Sequence, residues 1–281
     1  MLGFHWLFIP IAGVLGSLDE KIALNRKKIT ELEALAKTIY DYWFVQFDFP
    51  DKDGKPYRSS GGKMVWNEQL KREIPDGWYV WSISDCGAFN RGVSYSKDDE
   101  VVKGEANSIP VYRGNNIAGG FVVHDSNEVF IHKSMAAESQ TLQKGQVLIA
   151  MSSGSKEHVG KTGLVTRSSP VCAFGAFCTS FSPKDEYRHI IYNLFKSAIY
   201  RAYIKQICSG TGINNLKTEH FATKLFAVPS DNSTLAAFNE IEKPIYRQIM
   251  KLDEESACLQ DIRDQLLPLL MNGQVSVGDI E

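Results

Sequence analysis

The sequence predicts an α+β fold: one globular domain with a mixed β-sheet core, flanked by two long helices that pair as an antiparallel coiled coil. Three observations carry this. Apolar residues recur at alternating spacings of four and three toward both ends of the chain. Short runs rich in β-branched and aromatic residues, broken by Gly, Asn and Ser clusters, fill the middle. A helical pattern from about Glu186 to Cys208 interrupts those runs.

The first helix is read from Ile11 to Gln46. Its stripe is Ile11, Leu15, Leu18, Ile22, Asn25, Ile29, Leu32, Ala36, Ile39 and Trp43, a coiled-coil seam that gives a rod of about 54 Å at 1.5 Å per residue. Pro10 stands where a helix start tolerates proline. Asn25 is the single polar seam residue, and a buried Asn at such a position costs stability while fixing register.

Residues 51–74 are polar and rich in Gly and Ser, and read as a linker with an apolar staple at Met64 to Trp66. The globular block follows, with strand runs at Val101–Val102, Ile109–Tyr112, Phe121–Val123, Val147–Met151 and Val171–Phe177. The second helix runs from about Leu235 to Met271, with Phe238, Ile241, Ile245, Ile249, Leu252, Ser256, Leu259, Ile262, Leu266 and Leu270 on its seam. Ser233 or Thr234 caps its start, Pro244 bends its early part, and Asn272-Gly273 ends it. The predicted divisions are 1–50, a helix; 51–74, a linker; 75–232, the globular domain; and 233–281, the second helix and tail.

With 31 Lys and Arg against 33 Asp and Glu in 281 residues, a uniformly basic nucleic-acid coat is excluded. Charge is nevertheless segregated. Lys144 to Lys224 holds eleven bases and four acids, whereas the C-terminal helix is acidic, so a phosphate backbone would meet the middle domain. The five cysteines, Cys86, Cys172, Cys178, Cys208 and Cys258, include no C-x-x-C pair. This argues against a disulfide framework or a cysteine zinc site and for a reducing, cytoplasmic setting. Residues 1–18 are apolar, but no basic residue precedes the run and charge begins at Asp19, so neither a signal peptide nor a membrane span is expected.

Chemical motifs are sparse. Gly154-Ser-Lys-Glu-His-Val-Gly-Lys-Thr162 follows an apolar strand as a P-loop does, but five residues separate Gly154 from the Gly160-Lys161 pair, where a P-loop has four. The following Gly163-Leu-Val-Thr reads as a strand. A loop carrying Ser152, Ser153, Ser155, Lys156, His158 and Lys161 suits DNA phosphate instead. Two amide-rich loops accompany it, one with Tyr112, Arg113, Asn115 and Asn116 and one with Thr211, Asn214 and Asn215. Asn can read adenine and Arg guanine in the major groove, although Gly-Asn clusters are also ordinary turn formers. Arg91, Ser94 and Lys97 are assigned to the same DNA-binding surface. Sequence motifs for Ser hydrolases, zinc proteases and methyl transfer are missing, so no catalytic residue, metal or cofactor is expected.

Several segments carry a resemblance. Leu15-Gly-Ser-Leu-Asp-Glu-Lys-Ile-Ala-Leu-Asn-Arg-Lys, followed by Leu32-Glu-Ala-Leu-Ala-Lys-Thr-Ile-Tyr-Asp-Tyr-Trp-Phe-Val, resembles the spacer helix of specificity subunits of type I restriction–modification systems. Ile74-Pro-Asp-Gly-Trp and Ser209-Gly-Thr-Gly-Ile-Asn-Asn-Leu resemble parts of that family's target recognition domain, and Arg263-Asp-Gln-Leu-Leu-Pro-Leu-Leu-Met-Asn-Gly-Gln-Val resembles the end of its second spacer helix.

The usual family chain alternates two recognition domains with two helices, so helix, domain, helix implies a half-length form. The resemblance implies a noncatalytic reader of double-stranded DNA that directs methyltransferase and restriction subunits, with no membrane role. The matched helices suggest a homodimer. Its dimer or partner interface would involve Ile22, Asn25, Ile29, Leu32, Ile39, Trp43, Ile245, Ile249, Leu252, Leu259 and Leu266. The competing reading is a coiled-coil interaction module whose middle domain binds a protein or a small ligand.

Overall fold

The computed structural model describes residues 5–124, 128–155, 157–208 and 215–272, and the side chains of all of these except 5–12 and Ala222. The chain divides into two compact units, residues 1–35 with 244–281, and residues 36–243.

The first unit is a helical pair. It holds most of α1 (His5–Tyr40) and most of α5 (Asn232–Met271). The two run antiparallel, as the cross-links demand: Arg263 donates to Asp19 at 2.9 Å, while Asn25 Nδ2 donates to Glu255 Oε2 at 2.9 Å. Ile22 and Ile29 on one helix and Ile245, Ile249 and Leu252 on the other are buried, and Asn25 among them is fully enclosed. The expected seam is corrected at Ile241 and Ile262, which are 41% and 40% exposed.

Helix boundaries also differ. α1 begins at His5, so Pro10 lies within it, not at its start, and it closes in a π turn over Asp41–Val45, where Gln46 N–H donates to the Asp41 carbonyl at 2.8 Å. The cap of α5 is Asp231, whose carboxylate accepts the Thr234 N–H at 2.7 Å, in place of Ser233 or Thr234. Pro244 and Pro268 both lie inside α5.

In the second unit, residues 51–74 are ordered, contrary to the linker expectation. Strands β1 (Met64–Asn67) and β2 (Arg72–Pro75) form an antiparallel hairpin. Ahead of it Phe49 stacks on Tyr57 and Trp78, at 4.7 and 5.0 Å between centroids. Ser59 donates its N–H and hydroxyl to Asp48 at 2.7 and 2.6 Å, holding that carboxyl below its usual range. Aromatic packing between successive turns, invisible to a polarity count, orders this stretch.

The next elements are β3 (Tyr79–Ser82), β4 (Gly87–Arg91), β5 (Glu100–Val101), β6 (Ser108–Tyr112), β7 (Ile117–Ala118), β8 (Phe121–Val122) and β9 (Val129–His132). They are followed by β10 (Val147–Ala150), β11 (Thr162–Leu164), β12 (Ala173–Phe174) and β13 (Cys178–Pro183). Among the described residues the larger sheet has the order β4-β13-β10-β11-β8-β7, mixed because β11 pairs parallel to β8. A second sheet has the order β12-β6-β9-β5. The sheets enclose Leu148, Phe174 and Ile131, all at 0% exposure.

The expected helix from Glu186 to Cys208 is two helices, α2 (Arg188–Lys196) and α3 (Ala198–Cys208), broken at Ser197, whose hydroxyl accepts the Tyr200 N–H at 3.1 Å and restarts the helix. A short α4 (Thr218–Thr223) leads to β14 (Leu225–Val228), which pairs with β3.

Candidate nucleic-acid interface

Parallel strands bring their C-terminal ends to the same edge of a sheet. Strands β6 and β12 are such a pair, in register through Val111 with Ala173 and Tyr112 with Phe174. The segments leaving them, together with those leaving β4 and β10, surround a cleft of about 1080 Å³. Arg91 ends β4, Lys97 comes from the β4–β5 connection and Arg113 from the turn after β6, while His158 and Lys161 come from the loop between β10 and β11. Glu100 is the acidic residue on this lining. Four permanent cations against one carboxylate make a concave positive field, which low-dielectric walls focus. Ser94, Asn115, Ser152 and Ser153 add hydrogen-bonding groups to the same walls.

Close backbone packing holds the walls. A Cβ on Gly92 would sit 2.2 Å from the Gly175 carbonyl oxygen, so only glycine lets these strands touch there. Val93 N–H donates to the Phe174 carbonyl at 2.8 Å, and Gly175 N–H to the Tyr112 carbonyl at 2.9 Å. The β10–β11 loop is clamped from behind by α3. Arg201 donates to the carbonyls of Val159 and Glu157 at 2.7 and 2.6 Å, and the Tyr200 hydroxyl donates to Gly160 at 3.1 Å. Gly160, at φ +70°, packs its α-carbon against Ile204. The loop then returns as β11, antiparallel to β10, with no helix at its end to receive a nucleotide phosphate.

Nine of the residues singled out from sequence line this cleft: Arg91, Ser94, Lys97, Arg113, Asn115, Ser152, Ser153, His158 and Lys161. Others lie elsewhere. Asn116 is 1% exposed, accepts the Arg113 N–H at 2.9 Å and donates to the Val123 carbonyl at 3.1 Å, so its amide builds the turn and is not available to a base. Tyr112 is 4% exposed, its ring in the core and its hydroxyl 2.7 Å from Nδ1 of the exposed His124. Ser155 is exposed and shapes the loop by accepting the Glu157 N–H. Asn215 accepts a hydrogen bond from the Ser152 hydroxyl at the adjoining bridge. Lys156, Thr211 and Asn214 lie outside the described residues.

The linear run of bases is not one surface. Lys184 donates to the Asp85 carbonyl, Lys196 lies over Phe121, and Lys224 lies over Tyr203 with its ammonium pKa lowered by burial. Three of the cleft's four permanent cations come from ahead of that run. Position in space, not in sequence, sets the field. Sequence reading missed the turn Gly175–Cys178, which forms a further wall, and the clamping role of Arg201. Spacing gives no signal for either.

The residues expected at a dimer or partner interface face inward or are half-buried. Trp43 packs on Phe238 at 5.5 Å, and Leu32, Ile39, Leu259 and Leu266 are half-buried. The apolar surface left over on the helical pair is different: Leu24, Leu35, Ile262, Leu267 and Met271.

A comparison with protein families decides the membership. Residues 75–266 match the type I restriction modification DNA specificity domain. The chain belongs to this family. Within it, the chain is 32% identical over 191 residues to the type I restriction enzyme StySPI specificity subunit of Salmonella potsdam, covering 68% of this chain and 40% of that one. It is 35% identical over 151 residues to the EcoKI specificity subunit of Escherichia coli K12, covering 53% of this chain and 32% of that one. It thus spans less than half the length of both relatives. The crystal structure of the type I restriction–modification S subunit from M. genitalium shares the fold, with a TM-score of 0.53 at 17% identity over 96% of this chain and 60% of that one. The specificity-domain match includes every described wall of the cleft.

Proposed function

We propose that this specificity chain is a noncatalytic reader of double-stranded DNA that directs methyltransferase and restriction subunits to a target sequence. The observation that carries the reading is the cleft itself, where Arg91, Lys97, Arg113 and Lys161 converge with Ser and Asn side chains from separate loops. Cations hold phosphates and set register, and the polar side chains between them read base edges. Residues 75–232 form the reading domain. The helical pair offers Leu24, Leu35, Ile262, Leu267 and Met271 as an apolar surface for a second copy of the chain or for a methyltransferase subunit. Pairing across a two-fold axis would place two reading domains at a fixed separation, giving an interrupted inverted repeat as target. Four cations against one carboxylate suit a polyanion, which favours DNA over the alternative of an interaction module that binds protein alone.

Methylation profiling of DNA from cells carrying the chain with its cognate methyltransferase tests this reading. The expected result is one defined, interrupted sequence modified throughout the genome and lost when the chain is removed. Modification that is absent, or unchanged by removal of the chain, would overturn it. Identical inverted halves in the target would mark a homodimer, and unlike halves a second specificity chain.

A further inference from the structure

Phe177 is 74% exposed, on the turn that joins β12 to β13. Single apolar residues in water are common, so exposure alone says little. Two further observations separate this one. First, its backbone is held on several sides: Cys178 N–H donates to the Gly175 carbonyl at 2.8 Å, Met151 N–H donates to the Phe177 carbonyl at 2.9 Å, and Gly92 packs against Gly175. The ring is therefore presented by a braced turn and gains little burial from the fold. Second, it lines the same cleft as Arg91, Lys97, Arg113 and Lys161.

We propose that Phe177 is a specificity-determining residue that reads the 5-methyl group of a thymine; the inference rests on the DNA-binding reading of the cleft. Of the apolar side chains on these walls, Val93 and Ala150 are buried and Ala176 is small, so Phe177 presents the large exposed apolar face, and a phenyl ring neither donates nor accepts a hydrogen bond. The major groove offers donors, acceptors and one apolar group, the thymine methyl, which is the natural partner for a ring set among cations that follow the backbone. A wedge between base steps would instead have to project beyond the phosphate-binding surface and kink the duplex. Phe177 belongs to the lining of the recess, beside Ala176 and Cys178, and contact along the base edges follows from that position.

The test isolates one methyl group. A randomised duplex library is enriched on the full chain together with its cognate methyltransferase chain. The recovered duplex is then resynthesised with deoxyuridine at each thymine in turn. The wild type is expected to lose about fourfold in affinity at one thymine, the worth of one buried methyl group. Phe177→Ala is expected to bind the thymine and deoxyuridine duplexes equally with an unchanged salt dependence, and Phe177→Leu to keep part of the discrimination. The proposal is overturned if no deoxyuridine weakens wild-type binding, or if Phe177→Ala still discriminates. A rise in 2-aminopurine fluorescence beside the site that needs Phe177 would also overturn it, in favour of a wedge. Failure to enrich any sequence would remove the DNA-reading premise itself, an outcome distinct from an enriched site that ignores the methyl group.

Discussion

A carboxyl group buried by the protein costs free energy to ionise, and Glu242 is such a group. It is 0% exposed, it accepts a hydrogen bond from Asn193 at 3.0 Å, and burial pushes its pKa up to about 7. One turn earlier His189 lies 2.7 Å from Asn239, and burial lowers its pKa. The folded state therefore keeps the Glu242 proton where the unfolded chain, near 4.5, has released it. Stability from the neutral carboxyl is present below pH 4.5 and is lost as pH rises to about 7, by on the order of 3 kcal/mol. Denaturant unfolding at pH 5 and pH 8 should show Glu242→Gln losing this pH-dependent difference relative to wild type. An unchanged difference would mean the carboxyl is ionised or hydrated in the fold. Sequence gave no warning of this polar contact between α2 and α5, because a Glu on a long helix ordinarily faces solvent. Asn25 was legible, by contrast, since an amide inside an otherwise apolar heptad stripe has few other places to go.

At the scale of elements, periodicity located the two long helices and most strands, because burial on one face repeats with the geometry of the element. It failed where local chemistry overrides that period. Ser197 divides the expected single helix into α2 and α3, and stacked aromatics turn residues 51–74 from a linker into an ordered hairpin segment. The division at Ser197 matters for the cleft, since it aims α3 at the β10–β11 loop. Arg201 holds that loop through the carbonyls of Val159 and Glu157 without lining the cleft itself. Arg201→Met should accordingly raise amide hydrogen exchange between Glu157 and Lys161 and weaken duplex binding about tenfold, while leaving the rest of the domain as protected as in wild type. Normal exchange in that loop would show that β10 and β11 alone hold it.

For the whole molecule, the question is which charges meet DNA. A count along the chain favoured Lys144 to Lys224, but the fold scatters those bases over several surfaces and assembles a cleft from Arg91, Lys97, Arg113 and Lys161. Nine cleft residues were nonetheless legible as loop candidates, because turn-forming Gly, Asn and Ser mark the segments that leave strand ends. Their convergence was not legible, since it depends on β6 and β12 being parallel neighbours. The most direct measurement compares the salt dependence of duplex binding for two triple variants of equal charge change, in the full chain with its methyltransferase partner. One is Arg91→Ala, Lys97→Ala and Lys161→Ala in the cleft; the other is Lys144→Ala, Lys184→Ala and Lys196→Ala outside it. The cleft variant should lose about 2 to 3 from the slope of log affinity against log salt, with the outer variant close to wild type. Equal losses in both, or a larger loss in the outer variant, would contradict it.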